Sequence, residues 1–399
     1  MKPTLLLLNN AYAPTIGGVE NSLRHIAEEA SLSGWHVIIV VSDIGVQPEP
    51  CPRNVEYVLD GGVSLLRYPL QPVAWLGPLN LPLSAVMKYW ILRRLQAQYP
   101  DAVVISRFHL STVLASLAGL RRLAYLVPSV IRHQYGIETE DKPLGRLIGG
   151  QLKRGMHSFL QKMALRIGIV FVFSNTMRQQ CSAIVGSVGA DIRVCKPGVD
   201  PRRFHAIGPG EKLELREKLD LPVDKKLVLF AGRFVKAKGV EVMIAAMKSL
   251  PPDVELVLVG EGAEEATYRQ LITQQANAKD RFHLRPATSE VEDYYRCCDV
   301  FAMTSLYEPF GQTILEALAS GLPVVAFSSE AGVMTATEEL GFDGFIELVD
   351  RRDPNALAAG ILRQLEMPDI RRVEQSNKAL ATYSWKTLTD ELTAAASAL

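Results

Sequence analysis

Ser305-Leu306-Tyr307-Glu308-Pro309-Phe310-Gly311-Gln312-Thr313-Ile314-Leu315-Glu316-Ala317-Leu318-Ala319-Ser320-Gly321-Leu322-Pro323-Val324 is the stretch from which the fold of this 399-residue chain is read. The apolar run Val300-Phe301-Ala302-Met303 predicts a strand. Pro309 and Gly311 break it, and a helix is expected from about Gln312 to Ser320. Gly321 and Pro323 stop that helix before a second apolar run, Val324 to Phe327. In a parallel sheet, ligands bind where a strand's carboxyl end meets a helix N-terminus, because backbone N–H groups and the positive end of the helix dipole face outward there. Glu308 stands before the turn and Glu316 on the helix, with seven residues between them. Hydrolytic carboxylate pairs must flank one scissile bond at a set separation. Two carboxylates on one strand–turn–helix unit more naturally grip one ligand from the same side.

Outward from this unit, the chain alternates short apolar runs with amphipathic stretches, the pattern of α/β domains with parallel sheets. Expected strands in the first half are Thr4–Leu8, Val37–Val41, Ala102–Ile105, Ala124–Val127 and Ile169–Phe173, the last closing the sheet. Helices are expected over Val19–Ser33, stopped by Gly34, and over Gly145–Arg166. Lys196-Pro197-Gly198-Val199-Asp200 interrupts any regular element, and alternation restarts with Leu227–Ala231, a helix from Val240 to Ser249, and Glu255–Val259. At 399 residues the chain suits two cores. The expected domains are 1–197 and 198–383, each Rossmann-like and doubly wound, facing a cleft.

In its full context the opening stretch resembles the E-x7-E signature of retaining glycosyltransferases of the GT4 type, which have the GT-B fold. The resemblance runs over nearly the whole chain, strongest from Val194 to Phe327 and weakest from Pro48 to Gly150. It implies that the final segment, 384–399, packs back on the first domain. It also implies a sugar-nucleotide donor as substrate, with no cofactor and no metal. No two aspartates stand two apart, so the D-x-D metal motif of the other large glycosyltransferase fold is absent. Departing diphosphate charge must then be met by cations. Gly232-Arg233-Phe234-Val235-Lys236-Ala237-Lys238-Gly239 matches the family's G-R-x4-K-G segment, whose Arg and Lys clamp the diphosphate; Arg233 and Lys238 occupy those positions. The resemblance gives Glu308 the donor-sugar hydroxyls and Glu316 the ribose hydroxyls. Amides around Phe310, Gly311, Gln312 and Thr313 help orient the donor, and Gly260 and Glu261 line the nucleotide pocket.

Paired glycines before a helix let backbone amides approach an anion closely, and Gly17-Gly18-Val19-Glu20 matches the family's G-G-x-E loop. Family members carry a histidine near a first-domain strand end, where it contacts the donor sugar. Ser129 stands at that place here, and His109 or His133 could substitute.

Residues 1–197 hold 20 Lys and Arg against 12 Asp and Glu, and residues 198–399 hold 23 against 31. A basic first half suits an anionic acceptor or membrane surface, or a complementary face on the second half, and nothing points to nucleic acid. Gly145–Arg166 sets Ile148, Leu152, Met156, Phe159, Leu160 and Met163 on one face among basic residues. Packing of that face on its own sheet is the favoured reading and contact with anionic lipid the alternative. Trp75 and Trp90 are further candidates for an acceptor- or lipid-facing surface. The charge-free window Tyr68–Met87 is interrupted by Pro69, Pro72, Pro78 and Pro82 and is expected to be an apolar loop rather than a membrane span. Met1–Asn10 is too short an apolar run for a signal peptide. The five cysteines lack C-x-x-C spacing and suit reduced, buried thiols. A cytoplasmic protein, with peripheral contact at the inner membrane face, is expected.

The function expected is metal-independent, retaining transfer of a hexose-type sugar onto a carbohydrate or lipid-linked acceptor in cell-envelope biosynthesis. Three alternatives remain: transfer to a small-molecule acceptor, nucleotide-sugar epimerisation on the same fold, or a non-catalytic sugar-nucleotide-binding scaffold.

Overall fold

The computed structural model describes residues 2–14, 17–46, 56–59, 62–71, 80–131, 144–186, 190–275 and 278–399. The chain forms two compact units. One comprises Met1–Tyr135, Lys142–Gly198 and Trp385–Leu399; the other is built on Val199–Ser384.

The first unit begins with β1 (Thr4–Leu8), α1 (Gly18–Leu32), β2 (His36–Ser42), β3 (Glu56–Leu59) and β4 (Val63–Tyr68). It continues through α2 (Asn80–Gln98), β5 (Val103–Ser106), α3 (His109–Leu117), β6 (Leu123–Leu126) and α4 (Leu144–Ala164). β7 (Ile169–Val172), α5 (Asn175–Val185) and β8 (Ile192–Val194) complete its sheet. The strand order is β3-β4-β2-β1-β5-β6-β7-β8, parallel except for the β3–β4 pair. Both faces are covered, so the inner strands read as continuous apolar runs. Side chains alternate across the sheet. Leu6 and Leu8 enter the core beneath α2, α3 and α5, whereas Leu5 and Leu7 enter the core beneath α1 and the C-terminal helix.

The second unit runs α6 (Pro209–Lys218), β9 (Lys226–Ala231), α7 (Val240–Ala246), β10 (Val254–Val259), α8 (Glu265–Thr273), α9 (Ala278–Arg281), β11 (Phe282–Arg285) and α10 (Val291–Cys297). It continues through β12 (Val300–Met303), β13 (Tyr307–Glu308), α11 (Gln312–Ala319), β14 (Val324–Phe327), β15 (Met334–Thr335), β16 (Ile346–Val349), α12 (Pro354–Leu365) and α13 (Asp369–Thr382). Its main sheet is parallel, in the order β11-β10-β9-β12-β14-β16. α12 starts sharply because Pro354 sits in its first turn and the Asp353 carboxylate accepts from the Asn355 and Ala356 amides.

The last helix, α14 (Trp385–Ser397), belongs to the first unit. Trp385 stacks on His25 of α1 at 5.0 Å between ring centroids. A side chain on Gly198 would lie 2.2 Å from the Trp385 amide, so only glycine lets the two segments meet.

Three expectations are corrected. Ile169–Val172 does not close the first sheet, because β8 pairs beyond it and a β3–β4 hairpin extends the opposite edge. β3 and β8 are 4 and 3 residues long and β4 does not alternate strictly, so no strong alternation announces them. Asn80–Met87 is helix rather than loop, since Pro82 falls in the first turn of α2, where its missing N–H costs no intrahelical bond. Third, the described part of the apolar face expected on α4 is largely exposed rather than packed on the sheet, with Leu160 half-buried. Met156, Phe159 and Met163 are exposed, and Gln161, Ala164 and Leu165 are buried instead. The side chains of Ile148 and Leu152, like Trp75, lie outside the described residues. No described helix is long and apolar enough to cross a membrane. Cys181, Cys195, Cys297 and Cys298 are free and buried.

Candidate functional site

In the second unit, β9 lies between β10 and β12. The connections leaving β9 and β12 therefore diverge, and the crevice at their carboxyl ends is where an open parallel sheet binds ligands. Both motif segments sit there. The β9 segment carries Arg233 and Lys238, and the β12 segment carries Glu308 and leads into α11.

Close backbone contact binds the two segments together. The Leu306 amide donates to the Ala237 carbonyl at 2.8 Å, and the Thr304 hydroxyl donates to the Lys238 carbonyl at 2.8 Å. Gly239, at φ +60°, is irreplaceable because a Cβ would lie 2.4 Å from the Thr304 carbonyl oxygen. On the other side, the Phe234 amide donates to the Glu261 carbonyl at 2.8 Å. A Cβ on Gly260 would meet the Gly232 carbonyl oxygen at 1.9 Å. These glycines are therefore more than turn-formers. They allow the loops after β9, β10 and β12 to touch.

Lys238 and Glu308 form an ion pair, Nζ to Oε2 2.6 Å, with both side chains mostly covered. Arg233 is exposed and, among the described residues, makes no ion pair. Glu261 is also exposed. Gly311, at φ +90°, is the N-cap of α11, and Gln312 and Thr313 in its first turn are partly exposed. The Phe310 ring is buried, edge-on to Tyr383 at 6.1 Å.

Glu316 is set deeper. Burial raises its carboxyl from the ordinary 4.5 to about 7, partly offset by the Tyr295 hydroxyl and the Arg203 guanidinium. Arg203 is held in turn by Glu292, Nε to Oε1 3.0 Å. Arg203 and Tyr295 were not singled out in the sequence. Arg203 follows the inter-unit Pro-Gly and its acidic partner Glu292 lies far along the chain, and Tyr295 stands in the short helix α10 among charged residues.

In the first unit, the corresponding switch of direction lies between β1 and β5. Gly17 is the N-cap of α1, and the Glu20 carboxylate folds back over it: a Cβ at Gly17 would stand 2.5 Å from Oε2. This is half of a capping box, with the N3 glutamate reaching toward the N-cap. Gly18 has open space around it. His109 begins α3 but is buried, and its Nε2 lies 2.8 Å from Nδ1 of His157. Burial, then His157 and Lys88, push its pKa down to about 3, so the ring is neutral and not presented to a ligand. Ser129 is partly exposed, and its carbonyl accepts from Gln161 at 2.8 Å. His133 lies outside the described residues. Arg107, a further residue the sequence did not flag, follows β5, is buried and lies over the Phe173 ring at 5.3 Å. Among the described residues, its Nε and Nη1 have no hydrogen-bond partner.

Two family descriptions divide the chain between them. Residues 17–198 match the glycosyl transferase 4-like domain, and residues 211–381 match glycosyl transferases group 1. The chain belongs to the group 1, GT4-type glycosyltransferase family, with the GT-B fold. It is 36% identical over 222 residues to a D-inositol 3-phosphate glycosyltransferase of Xylanimonas cellulosilytica, an alignment spanning about half of each chain (52% and 52%). It is 25% identical over 403 residues to a GDP-mannose-dependent monoacylated alpha-(1-6)-phosphatidylinositol monomannoside mannosyltransferase of Corynebacterium glutamicum, covering 97% of this chain and 96% of that one. Among solved structures, sucrose-phosphate synthase of Thermosynechococcus elongatus superposes with a TM-score of 0.78 over 98% of this chain and 97% of that chain, at 22% identity.

Proposed function

We propose that the protein transfers a hexose-type sugar, with retention of configuration, from a sugar nucleotide to an acceptor hydroxyl. The observation that carries this reading is the convergence of Arg233, Lys238, Glu308 and the α11 N-terminus at the switch point of the second sheet. Lys238 and Arg233 stabilise the departing diphosphate, Glu308 holds donor-sugar hydroxyls, and Glu316 holds the ribose. The Gln312 and Thr313 amides orient the donor, and Gly260 and Glu261 line its nucleotide pocket. The bond from the anomeric carbon to the diphosphate breaks through an oxocarbenium-like state. The acceptor oxygen bonds to that carbon from the same face, and its proton passes to the diphosphate oxygen. No side-chain base is required.

Two relatives bear names that include inositol phosphate or phosphatidylinositol. With the basic first half of this chain, they support an anionic, carbohydrate or lipid-linked acceptor for a cell-envelope product, made by a cytoplasmic enzyme at the inner membrane face.

Melting the protein against UDP-, GDP- and ADP-sugars tests the donor, since a ligand that binds only the folded state stabilises it. One sugar nucleotide at a hundred times its Kd stabilises by about 2.7 kcal/mol. If none of the three raises Tm, the reading is overturned.

Glu316 supplies a pH signature. Its folded pKa of about 7 lies above the ordinary 4.5, so the folded chain holds a proton there that the unfolded chain has released. Stability from this group is therefore greatest at or below the ordinary value and declines as pH rises towards 7. Donor binding runs the opposite way, because an ionised carboxylate accepts from both ribose hydroxyls. Below about pH 7 the donor Kd weakens by about tenfold per pH unit, following the protonated fraction. Calorimetric titration of a sugar nucleotide across this range checks it, and Glu316→Gln should bind weakly with no such slope. A slope unchanged in Glu316→Gln would remove Glu316 from the ribose site.

A further inference from the structure

Arg107 is a buried cation that the transfer chemistry of the second unit does not use. It follows β5, and side chains alternate along a strand. It therefore continues the face that sends Val103 and Ile105 into the core beneath α1 and the C-terminal helix. Phe173, after β7, continues Ile169 and Phe171 on that face in the same way. The two side chains meet at the carboxyl edge of the first sheet, with the guanidinium 5.3 Å from the ring centroid. The Arg107 amide donates to the Leu8 carbonyl at 2.8 Å, which ties the residue to the switch point between β1 and β5. An open parallel sheet binds its ligands at such a point.

The Arg107 residue is 3% exposed. Burial pushes its pKa down to about 10, against the opposing pull of Cys195, Glu20 and Tyr125, so it stays charged at neutral pH. The Phe173 ring covers the guanidinium without accepting from its N–H edges. Nε and Nη1, which carry three of the five N–H donors of a guanidinium, are unpartnered among the described residues. The Glu20 carboxylate, which acts on this charge, lies over Gly17. An uncompensated buried charge is strongly destabilising, and a long apolar side chain would serve packing better. An anion brought by a substrate supplies the missing acceptors. Nε and Nη1 lie on different edges of the guanidinium, whereas a planar carboxylate spans one edge. A phosphoryl group offers three acceptor oxygens and nearly two charges, and bonds to arginine in short, charge-assisted pairs.

We infer that Arg107 anchors a phosphoryl group of the acceptor, so that the enzyme selects phosphorylated acceptors. The donor diphosphate has its own cations, Arg233 and Lys238, at the switch point of the second sheet. The role as acceptor anchor rests on the proposed transfer reaction; the anion site itself does not.

Inorganic phosphate is the first probe, titrated calorimetrically into the full chain. Arg107→Met should weaken its binding at least tenfold. Arg107→Lys, which keeps the charge but loses the fork, should weaken it about threefold. Lys238→Ala should leave this phosphate bound, which separates it from phosphate taken up at the diphosphate site. Arg107→Met should melt no lower than the parent, because it removes an unpaired buried charge. If it does not fold, Arg107→Lys decides. Glycerol 3-phosphate and a short-chain phosphatidylglycerol then compete with the bound phosphate. Displacement by the monoester supports a free phosphorylated acceptor, and displacement by the phosphodiester a lipid-borne one. Displacement by neither marks an adventitious ion only and overturns the inference. Equal phosphate binding by the parent and both Arg107 variants overturns it as well. So does loss, in Arg107→Met, of the Tm rise given by a sugar nucleotide, which would assign Arg107 to the donor. If no sugar nucleotide shifts the parent while Arg107→Met still loses phosphate, the transfer reading fails and the anion site stands.

Discussion

Replacing Lys238 by alanine should lower kcat about a thousandfold, the loss found when one preorganised group is removed from a developing negative charge. Lys238 is held by its loop. Gly239 touches the end of β12, and the Lys238 carbonyl is fixed by Thr304. Its ammonium is paired with Glu308 in the structure. On donor binding, the cation must be shared with the diphosphate or pass to it. Because the leaving group gains charge only as the bond breaks, the effect falls mainly on kcat and less on KM. Both side chains of the pair are mostly covered, so some stability is lost with it, and the melting curves separate that loss from the loss of turnover. Glu308→Ala should abolish transfer too, by releasing the donor sugar. Single-turnover rates with saturating donor, together with melting curves, check both variants. Turnover within tenfold of the parent in either would sink the assigned roles.

The largest expected effect on stability is at Gly260. Alanine there would place Cβ 1.9 Å from the Gly232 carbonyl oxygen and 3.0 Å from the Phe234 ring, at φ +153°. Neither neighbour can yield cheaply. The Gly232 amide is bonded to Val259, and Phe234 is buried in the core of the second unit. Backbone strain of this kind costs up to about 3 kcal/mol, which corresponds to a fall in Tm of about 6–12 °C for a domain of this size. Donor affinity should fall as well, because displacing Gly232 moves Arg233. Thermal and urea melts of Gly260→Ala decide it, and a Tm within about 2 °C of the parent would show that the loops after β9 and β10 are not locked together.

Much of the second unit was legible because its signals are local. Val300–Met303, the Pro309–Gly311 break and the Gly321–Pro323 stop mark the strand, turn and helix within about one residue of β12 and α11. The first unit was less legible. β3 and β8 are the edge strands and β4 lies next to an edge, so their pairing depends on a neighbouring strand already being in place. The start of α2 is hidden by prolines that a first helical turn tolerates. The α4 face misled for a different reason. Amphipathic periodicity says that one side is apolar, but not which side meets the sheet.

The sequence by itself determined the alternation that makes two parallel α/β units, the glycines at turns, and the candidate groups Arg233, Lys238, Glu308 and Glu316. Each of these follows from residue type and spacing along one segment. Only the tertiary structure decided that Lys238 and Glu308, seventy positions apart, meet at 2.6 Å. It also surrounded Glu316 with Arg203 and Tyr295, buried His109 against His157, and left Trp90 and Phe159 uncovered. The physical reason is common to all of these. Strand order, close backbone approach and burial arise from contacts between distant segments, and no spacing within a single segment encodes them.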